Sequence, residues 1–298
     1  MLDYAALSVV ATVIREGSFE RAARILHVTP SAISQRVRQL EERVGCALVI
    51  RDQPCRATDT GRRLCQHMDQ VRLLEQDLQD TLPALAPEGV TRVPLPVAVN
   101  ADSLATWLAP PLAAFAAQAP VLMDIAVDDQ DHTMEWLRNG SVLAAVTASA
   151  RPAAGCNSQP LGAMRYRAAA SPAFIRHYFA DGVGSGSLAR APSLVFNTKD
   201  ELQAHWARRL CHRNIELPRH TLPSPQAFTT AAMAGMGWGL HPQALIAKHL
   251  GDGSLVELVP DTPLDVPLYW QQARAASTVL DDLTRHVMAA ARAALLPP

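Results

Sequence analysis

Apolar positions in the first eighty residues recur at helical spacing. Tyr4, Leu7, Val10, Ala11 and Ile14 predict one amphipathic helix, and Gly17 predicts its end. Ser18 is placed to cap a short second helix over 19–26. Arg21 stands at the third helical position instead of Glu, so a reciprocal capping box is absent. Thr29 then caps a third helix with Pro30 in its first turn, where a missing N–H costs least; it runs to Val44 and stops at Gly45. The apolar run Ala47-Leu48-Val49-Ile50, followed by a polar turn, predicts a two-stranded hairpin within 46–58. Thr60 and Gly61 are expected to open a long helix, on which Leu64, Met68, Val71, Leu74, Leu78 and Leu82 form one stripe. A long helix with a single apolar stripe favours pairing with a second chain over packing on its own domain.

Residues 83–96 (PALAPEGVTRVPLP) form the best linker in the chain. Beyond it the pattern alternates. Strands are expected over 95–99, 122–127, 142–147, 164–169, 193–196, 219–222, 237–240, 255–259 and 268–271. Helices are expected over 104–118, 133–139, 172–179, 201–212, 226–234, 242–250 and 278–295. Such alternation implies parallel sheets covered by helices on both faces. Residues 182–186 (GVGSG) read as a flexible surface loop, and 235–239 (GMGWG) as a tight turn.

Composition narrows the class. Hydrophobic residues at 49% and charged residues at 18% describe a globular chain with a substantial core. No apolar run is long enough to span a membrane, and the N-terminus lacks a basic leader, so a cytoplasmic protein is expected. The net charge of −1 hides an asymmetry: residues 1–65 carry +3 and the remainder −4. A basic segment on a neutral-to-acidic body suits a module that meets phosphates. Cys46, Cys55, Cys65, Cys156 and Cys211 have neither disulfide nor zinc-ribbon spacing. Nucleophile-elbow, metalloprotease, Walker and dinucleotide-binding motifs are all missing. His205 and His212 share a helix without a third ligand. An enzyme is not expected, nor a resident metal or cofactor.

Ala22, Ala23 and Leu26 give a small apolar face where two helices cross. Val28 plugs the turn, and Ile33, Val37 and Leu40 form the buried stripe of the third helix. Ser31, Ser34, Gln35, Arg36 and Arg38 remain outside. Short hydroxyls, an amide and guanidinium groups are what a major-groove reader needs. The plain alternative is a three-helix bundle with solvated polar faces. The stretch FERAARILHVTPSAISQRVRQLEERVGCALVIRDQPCRATDTG resembles the winged helix-turn-helix of the LysR-type transcriptional regulators, and the resemblance continues to the C-terminus. Cys55-Arg56-Ala57-Thr58 and a proline at the wing tip depart from the usual pattern.

The resemblance implies an α/β protein overall. A winged helix-turn-helix would occupy 1–60, a linker helix 61–82 and a hinge 83–93. A periplasmic-binding-protein-like effector domain would occupy 94–298, with one subdomain at 94–160 and 266–298 and the other at 161–265. It further implies dimers through the linker helix, assembly into tetramers, binding to double-stranded DNA, contact with RNA polymerase at target promoters, and a small-molecule effector. Thr29, Ser31, Ser34 and Gln35 are the candidates for reading bases; Arg36, Arg38, Arg51 and Arg56 are candidates for the phosphate backbone.

In open α/β sheets, ligands bind beyond the carboxyl ends of strands. Here Asn100-Ala101-Asp102-Ser103 follows the first expected strand and precedes a helix containing Trp107. Ser103 as an N-cap would leave free N–H groups for a carboxylate. Asp128 and Asp129 follow the second strand and suit an ammonium or guanidinium. Plain capping and a solvated turn are the competing readings. NADSLATW is similar to the ArgP/LysG (IciA) subfamily, as are VIREGSFERAA, SAISQRVRQLE, QVRLLEQD and LYW at 268–270. This resemblance implies lysine or arginine as effector and control of basic amino-acid export or metabolism. Thr147, Phe196, Ser224 and Gln226 join the effector candidates. The alternatives are a LysR-type regulator of another small molecule and a replication-origin-binding protein of the IciA kind.

Overall fold

The computed structural model describes residues 2–82, 92–128, 133–138, 141–274 and 278–297. Nearly all of the expected hinge over 83–93 lies outside them.

Helices α1 (Tyr4–Glu16), α2 (Phe19–Ile25) and α3 (Pro30–Val44) enclose a small core of Leu7, Val10, Val13, Ala22, Ala23, Ile33, Val37 and Leu40. Each helix starts on a side-chain cap. Asp3, Ser18 and Thr29 accept the N–H groups of Ala6, Arg21 and Ala32. Strands β1 (Val49–Ile50) and β2 (Arg56–Ala57) pair antiparallel as the wing.

The long helix α4 (Asp59–Thr81) starts earlier than expected. Thr58, not Thr60, is its cap, accepting from Gly61 N–H while its own hydroxyl donates to the Ala47 carbonyl. Gly61 has a different task from opening a helix. A Cβ there would lie 2.0 Å from the Leu48 carbonyl oxygen, so glycine lets the helix touch the wing. The apolar stripe of α4 also divides. Leu64, Met68 and Val71 pack on the N-terminal core, whereas Leu74, Leu78 and Leu82 are 48%, 49% and 49% exposed. The expectation that one stripe serves a second chain is therefore corrected for its first half. Leu73, off the stripe, is buried in the core of the C-terminal unit.

The C-terminal unit is built on seven strands: β3 (Val93–Asn100), β4 (Val121–Asp128), β5 (Ala144–Thr147), β6 (Cys156–Ala170), β9 (Gly239–Pro242), β10 (Val256–Glu257) and β11 (Leu264–Ala273). Their order is β10-β6-β11-β5-β3-β4, with β9 also paired to β6. A separate parallel pair joins β7 (Ser193–Val195) and β8 (Arg219–Thr221). The expectation of purely parallel sheets is corrected. Among the described residues, only β3–β4 and β3–β5 are parallel in the large sheet. The long strands β6 and β11 run antiparallel through both halves, and β9 and β10 add antiparallel edges. The subdomain limits expected at 160/161 and 265/266 fall inside β6 and β11 rather than in loops. Near there the register shifts between Leu268 and Tyr269, opposite Gly162. Gly162 has φ 125, and a Cβ on it would meet the Leu296 carbonyl at 2.3 Å.

After β3 the chain turns through α5 (Ala101–Ser103), a π-helical turn (Leu104–Leu108) and α6 (Ala109–Ala116). Pro110 and Pro111 carry no N–H, so the carbonyls of Thr106 and Trp107 lose their i→i+4 donors and the helix widens there. The remaining helices are α7 (Thr133–Arg138), α8 (Pro172–Tyr178), α9 (Ser185–Leu188), α10 (Leu202–Cys211), α11 (Pro225–Met233), α12 (Gln243–Gly251) and α13 (Thr278–Ala294). The segment expected as a flexible loop thus contains the start of α9. Ser187 organises it, accepting from Gly184 N–H and donating back to nearby carbonyls. Tyr166, Trp206, Trp238 and Trp270 are fully buried in the main core. Among the described residues no helix is long and apolar enough to cross a membrane.

Candidate nucleic-acid interface and effector cleft

Helix α3 buries Ile33, Val37 and Leu40, which turns Ser31, Gln35 and Arg38 outward. Ser34 lies half-buried on the flank toward the wing. With Ser18, Arg21, Arg51, Gln53 and Pro54 it lines a concavity of about 730 Å³ between helix and hairpin. The Arg51 guanidinium sits 5.1 Å from the Phe19 ring centroid, which orients its charge at the mouth. Arg56 is exposed and paired with Asp52. Thr29 works chiefly as the cap of α3, and its hydroxyl also bonds Ser31 Oγ at 3.0 Å.

Arg36 does not join this group. Side chains two residues apart point about 200° away from each other around a helix. Arg36 therefore lies beside Asp3, Gln39 and Arg43, on the flank away from Ser34 and the wing. Arg21 and Gln53 do face the concavity and were not singled out from the sequence. Arg21 had left a trace there, as the residue replacing a capping-box acid.

The cleft in the C-terminal unit starts where β3 meets α5. Asn100 is 1% exposed, and neither atom of its amide has a hydrogen-bond partner. Ser103 is fully buried with an unpartnered hydroxyl. Its expected role as N-cap is corrected: α5 begins at Ala101, which places Ser103 inside the helical stretch. Asp102 accepts from the Tyr166 hydroxyl at 2.8 Å. Opposite, the Asp200 carboxylate accepts from the N–H groups of Phe196 (2.8 Å) and Leu202 (3.0 Å). Asp102, Phe196, Asp200, Phe228 and His241 enclose a cavity of about 20 Å³, room for a single water. Anything larger requires these walls to part. Burial pushes the His241 imidazolium pKa down to about 3, against a backbone hydrogen bond with Ala169, so the ring is neutral.

The other effector candidates are spread more widely. Asp128 is not a solvated turn residue: it accepts from the Trp136 indole N–H at 3.1 Å. Asp129 lies outside the described residues. Thr147 is fully buried, its hydroxyl oxygen accepting from Ser149 N–H at 2.8 Å. Ser224 caps α11 through Ala227 N–H, and Gln226 is exposed. Trp107 lies in the main core and lines a different pocket, with Met164, Ala247 and Leu295. Asp200 and His241 had no sequence signal, because the residues they face are remote in the chain. Among the described residues no cluster of His, Cys, Asp and Glu could hold a metal ion.

Residues 4–62 match the bacterial regulatory helix-turn-helix of the lysR family, and residues 89–292 match the LysR substrate binding domain. The chain belongs to the LysR family. This LysR-type regulator is 45% identical to the HTH-type transcriptional regulator ArgP of Pseudomonas fluorescens, over 100% of this chain and 99% of that one. It is 44% identical to the regulator LysG of Mycobacterium tuberculosis, over 97% and 94%. The crystal structure of ArgP from Mycobacterium tuberculosis superposes with a TM-score of 0.84 at 42% identity, covering 100% of both chains. Full-length LysG from Corynebacterium glutamicum, solved with bound effector Arg, superposes with a TM-score of 0.73 at 37% identity over 99% of this chain and 100% of that one. The basic N-terminal unit is thus the DNA-binding end of a transcriptional regulator, and the two-sided α/β unit is its effector-binding end.

Proposed function

We propose that this LysR-type regulator senses a basic amino acid, arginine or lysine, in the cleft between Asp102 and His241, and so controls genes of basic amino-acid export or metabolism. The observation that carries the reading is the buried polar set at the β3–α5 junction. Asn100 and Ser103 are sealed from water with unmet hydrogen bonds, beside the carboxylate of Asp102. Buried polar groups without partners are rare in native proteins, and a ligand is one way to satisfy them. Donors and acceptors from Asn100 and Ser103 suit an α-amino acid head. Asp102, Asp128 and Asp200 supply the negative charge for a cationic side chain. The arginine bound by the Corynebacterium glutamicum relative supports the same ligand class.

At the other end, Ser31, Ser34 and Gln35 would read bases, while Arg38, Arg51 and Arg56 would hold phosphates. Arg21 and Gln53 belong to the same surface. The exposed Leu74, Leu78 and Leu82 on α4 favour dimerisation there, with tetramers, RNA polymerase contact and a cytoplasmic site of action following from the family reading. Calorimetric titration of the full-length protein with arginine, lysine and leucine tests the effector. Selective binding of arginine or lysine is expected; heat from leucine alone, or from none of the three, overturns it.

A further inference from the structure

His241 lies on β9, 1% exposed, with its ring edge-on to Phe228 at 5.0 Å between centroids. Its neighbours decide which nitrogen holds the proton. The Thr229 hydroxyl donates to the Pro225 carbonyl at 3.1 Å, which uses its single hydrogen. Toward His241 Nδ1, 3.4 Å away, Thr229 Oγ1 can then only accept. With the Thr229 hydrogen on the Pro225 carbonyl, the tautomer that fits holds its hydrogen on Nδ1, and burial, which outweighs a backbone hydrogen bond with Ala169, keeps the ring from taking a second. Nε2 is left as a bare lone pair. It is sealed from water and has no partner.

His241 lines the cavity shared with Asp102 and Asp200, where no Lys or Arg is among the lining residues. Two carboxylates and a neutral imidazole acceptor complement a cation rich in N–H groups. Phe196, Phe228 and Leu240 supply apolar cover for an aliphatic stem. A guanidinium offers five donors in a fixed plane and an ammonium three. A neutral imidazole contributes an acceptor without a repelling positive charge.

Resting on the basic amino-acid reading, we infer that His241 Nε2 accepts an N–H from the cationic end of the effector, which makes His241 a specificity-determining residue. A site built to receive a donor rejects side chains that lack one, because the buried acceptor is then left unpaired.

The test is calorimetry on the full-length protein with arginine, citrulline and leucine, for the wild type, His241→Phe and His241→Gln. Phenylalanine keeps the ring and deletes the acceptor; glutamine restores an acceptor near the position of Nε2. The phenylalanine variant should bind arginine roughly ten- to hundredfold more weakly and lose much of its preference over citrulline, as expected when a hydrogen bond to a charged group is removed. Glutamine should recover most of the affinity. Unchanged arginine binding by His241→Phe overturns the inference alone, as does an equal loss in both variants. Failure of the wild type to bind arginine or lysine removes it together with the reading it rests on. Should His241→Phe not fold, ¹⁵N NMR of the wild-type histidines gives the same decision. The resonance of the unprotonated Nε2 moves on adding arginine if it accepts a hydrogen bond, and a stationary signal overturns the inference.

Discussion

In the DNA-binding unit, Asp3, Ser18, Thr29 and Thr58 each accept a backbone N–H at a helix start, and the arginines beside them face water. In the effector unit, Asn100, Ser103, Gln203 and His241 are closed off from water with polar atoms that meet nothing. The first arrangement is satisfied before DNA arrives, so binding there exchanges water and counterions for phosphates. The second is incomplete as it stands, and a ligand that completes it stabilises whichever arrangement of the walls holds it. The polar groups of the DNA-binding unit are thus met within the free protein, whereas those buried at the β3–α5 junction and on β9 cost stability there.

Acid tests that contrast most strongly. His241 has a folded pKa of about 3 against 6.5 for an unperturbed ring. Between those values the unfolded chain takes up a proton that the folded one refuses. The stability from keeping this ring neutral is complete above about pH 6.5. It is lost as the pH falls toward about 3, by about 1.4 kcal/mol per pH unit from this residue. Urea melts of His241→Gln should show a shallower acid loss than the wild type; parallel curves would place the acid sensitivity elsewhere.

Ser103→Ala comes next. Removing a buried hydroxyl with no partner should stabilise the free protein by about 1 kcal/mol and raise its Tm, while weakening arginine binding. A drop in Tm would mean that Ser103 is satisfied in solution and that the contrast fails at this position.

Thr29→Ala should act in the opposite direction. Loss of the α3 cap should cost about 1 kcal/mol of stability and weaken DNA binding, measurable by melting and by fluorescence anisotropy. Unchanged stability would show that α3 holds its first turn without the hydroxyl.

Arg51→Ala has the smallest expected effect on folding, since its guanidinium is exposed over Phe19. Its signature is in salt dependence. Affinity should fall for all DNA sequences, and the slope of log K against log salt should flatten by about one unit. An unaltered slope would remove Arg51 from the phosphate contacts.

The DNA-binding unit was largely legible because its determinants are local. Caps, stops and buried stripe lie within a few residues of the elements they define, as at Ser18, Thr29-Pro30 and Gly45. At α4 the cap is equally local, Thr58 accepting from Gly61 N–H, but Thr60 offers the same side chain two residues on and the sequence does not separate them. The effector unit was legible in element order but not in sheet direction, because β6 and β11 pair across a long separation and the alternation of strands with helices does not reveal it. At the cleft, NADS marks a strand-to-helix junction, but the helix begins at Ala101 and takes Ser103 inside it, which a serine before an apolar run does not reveal.

The sequence by itself determined the helical start, the wing, the alternating α/β order and the family, since these depend on short-range periodicity and on motifs read along the chain. Only the tertiary structure decided that Arg36 lies on the flank of α3 away from the wing, that the first half of the α4 stripe packs on the N-terminal core while the second stays exposed, and that Asp200 and His241 stand opposite Asp102. Those facts depend on which surfaces are brought together by long-range strand pairing. Burial, which sets both the protonation of His241 and the cost of its unmet lone pair, exists only once the distant segments have closed around it.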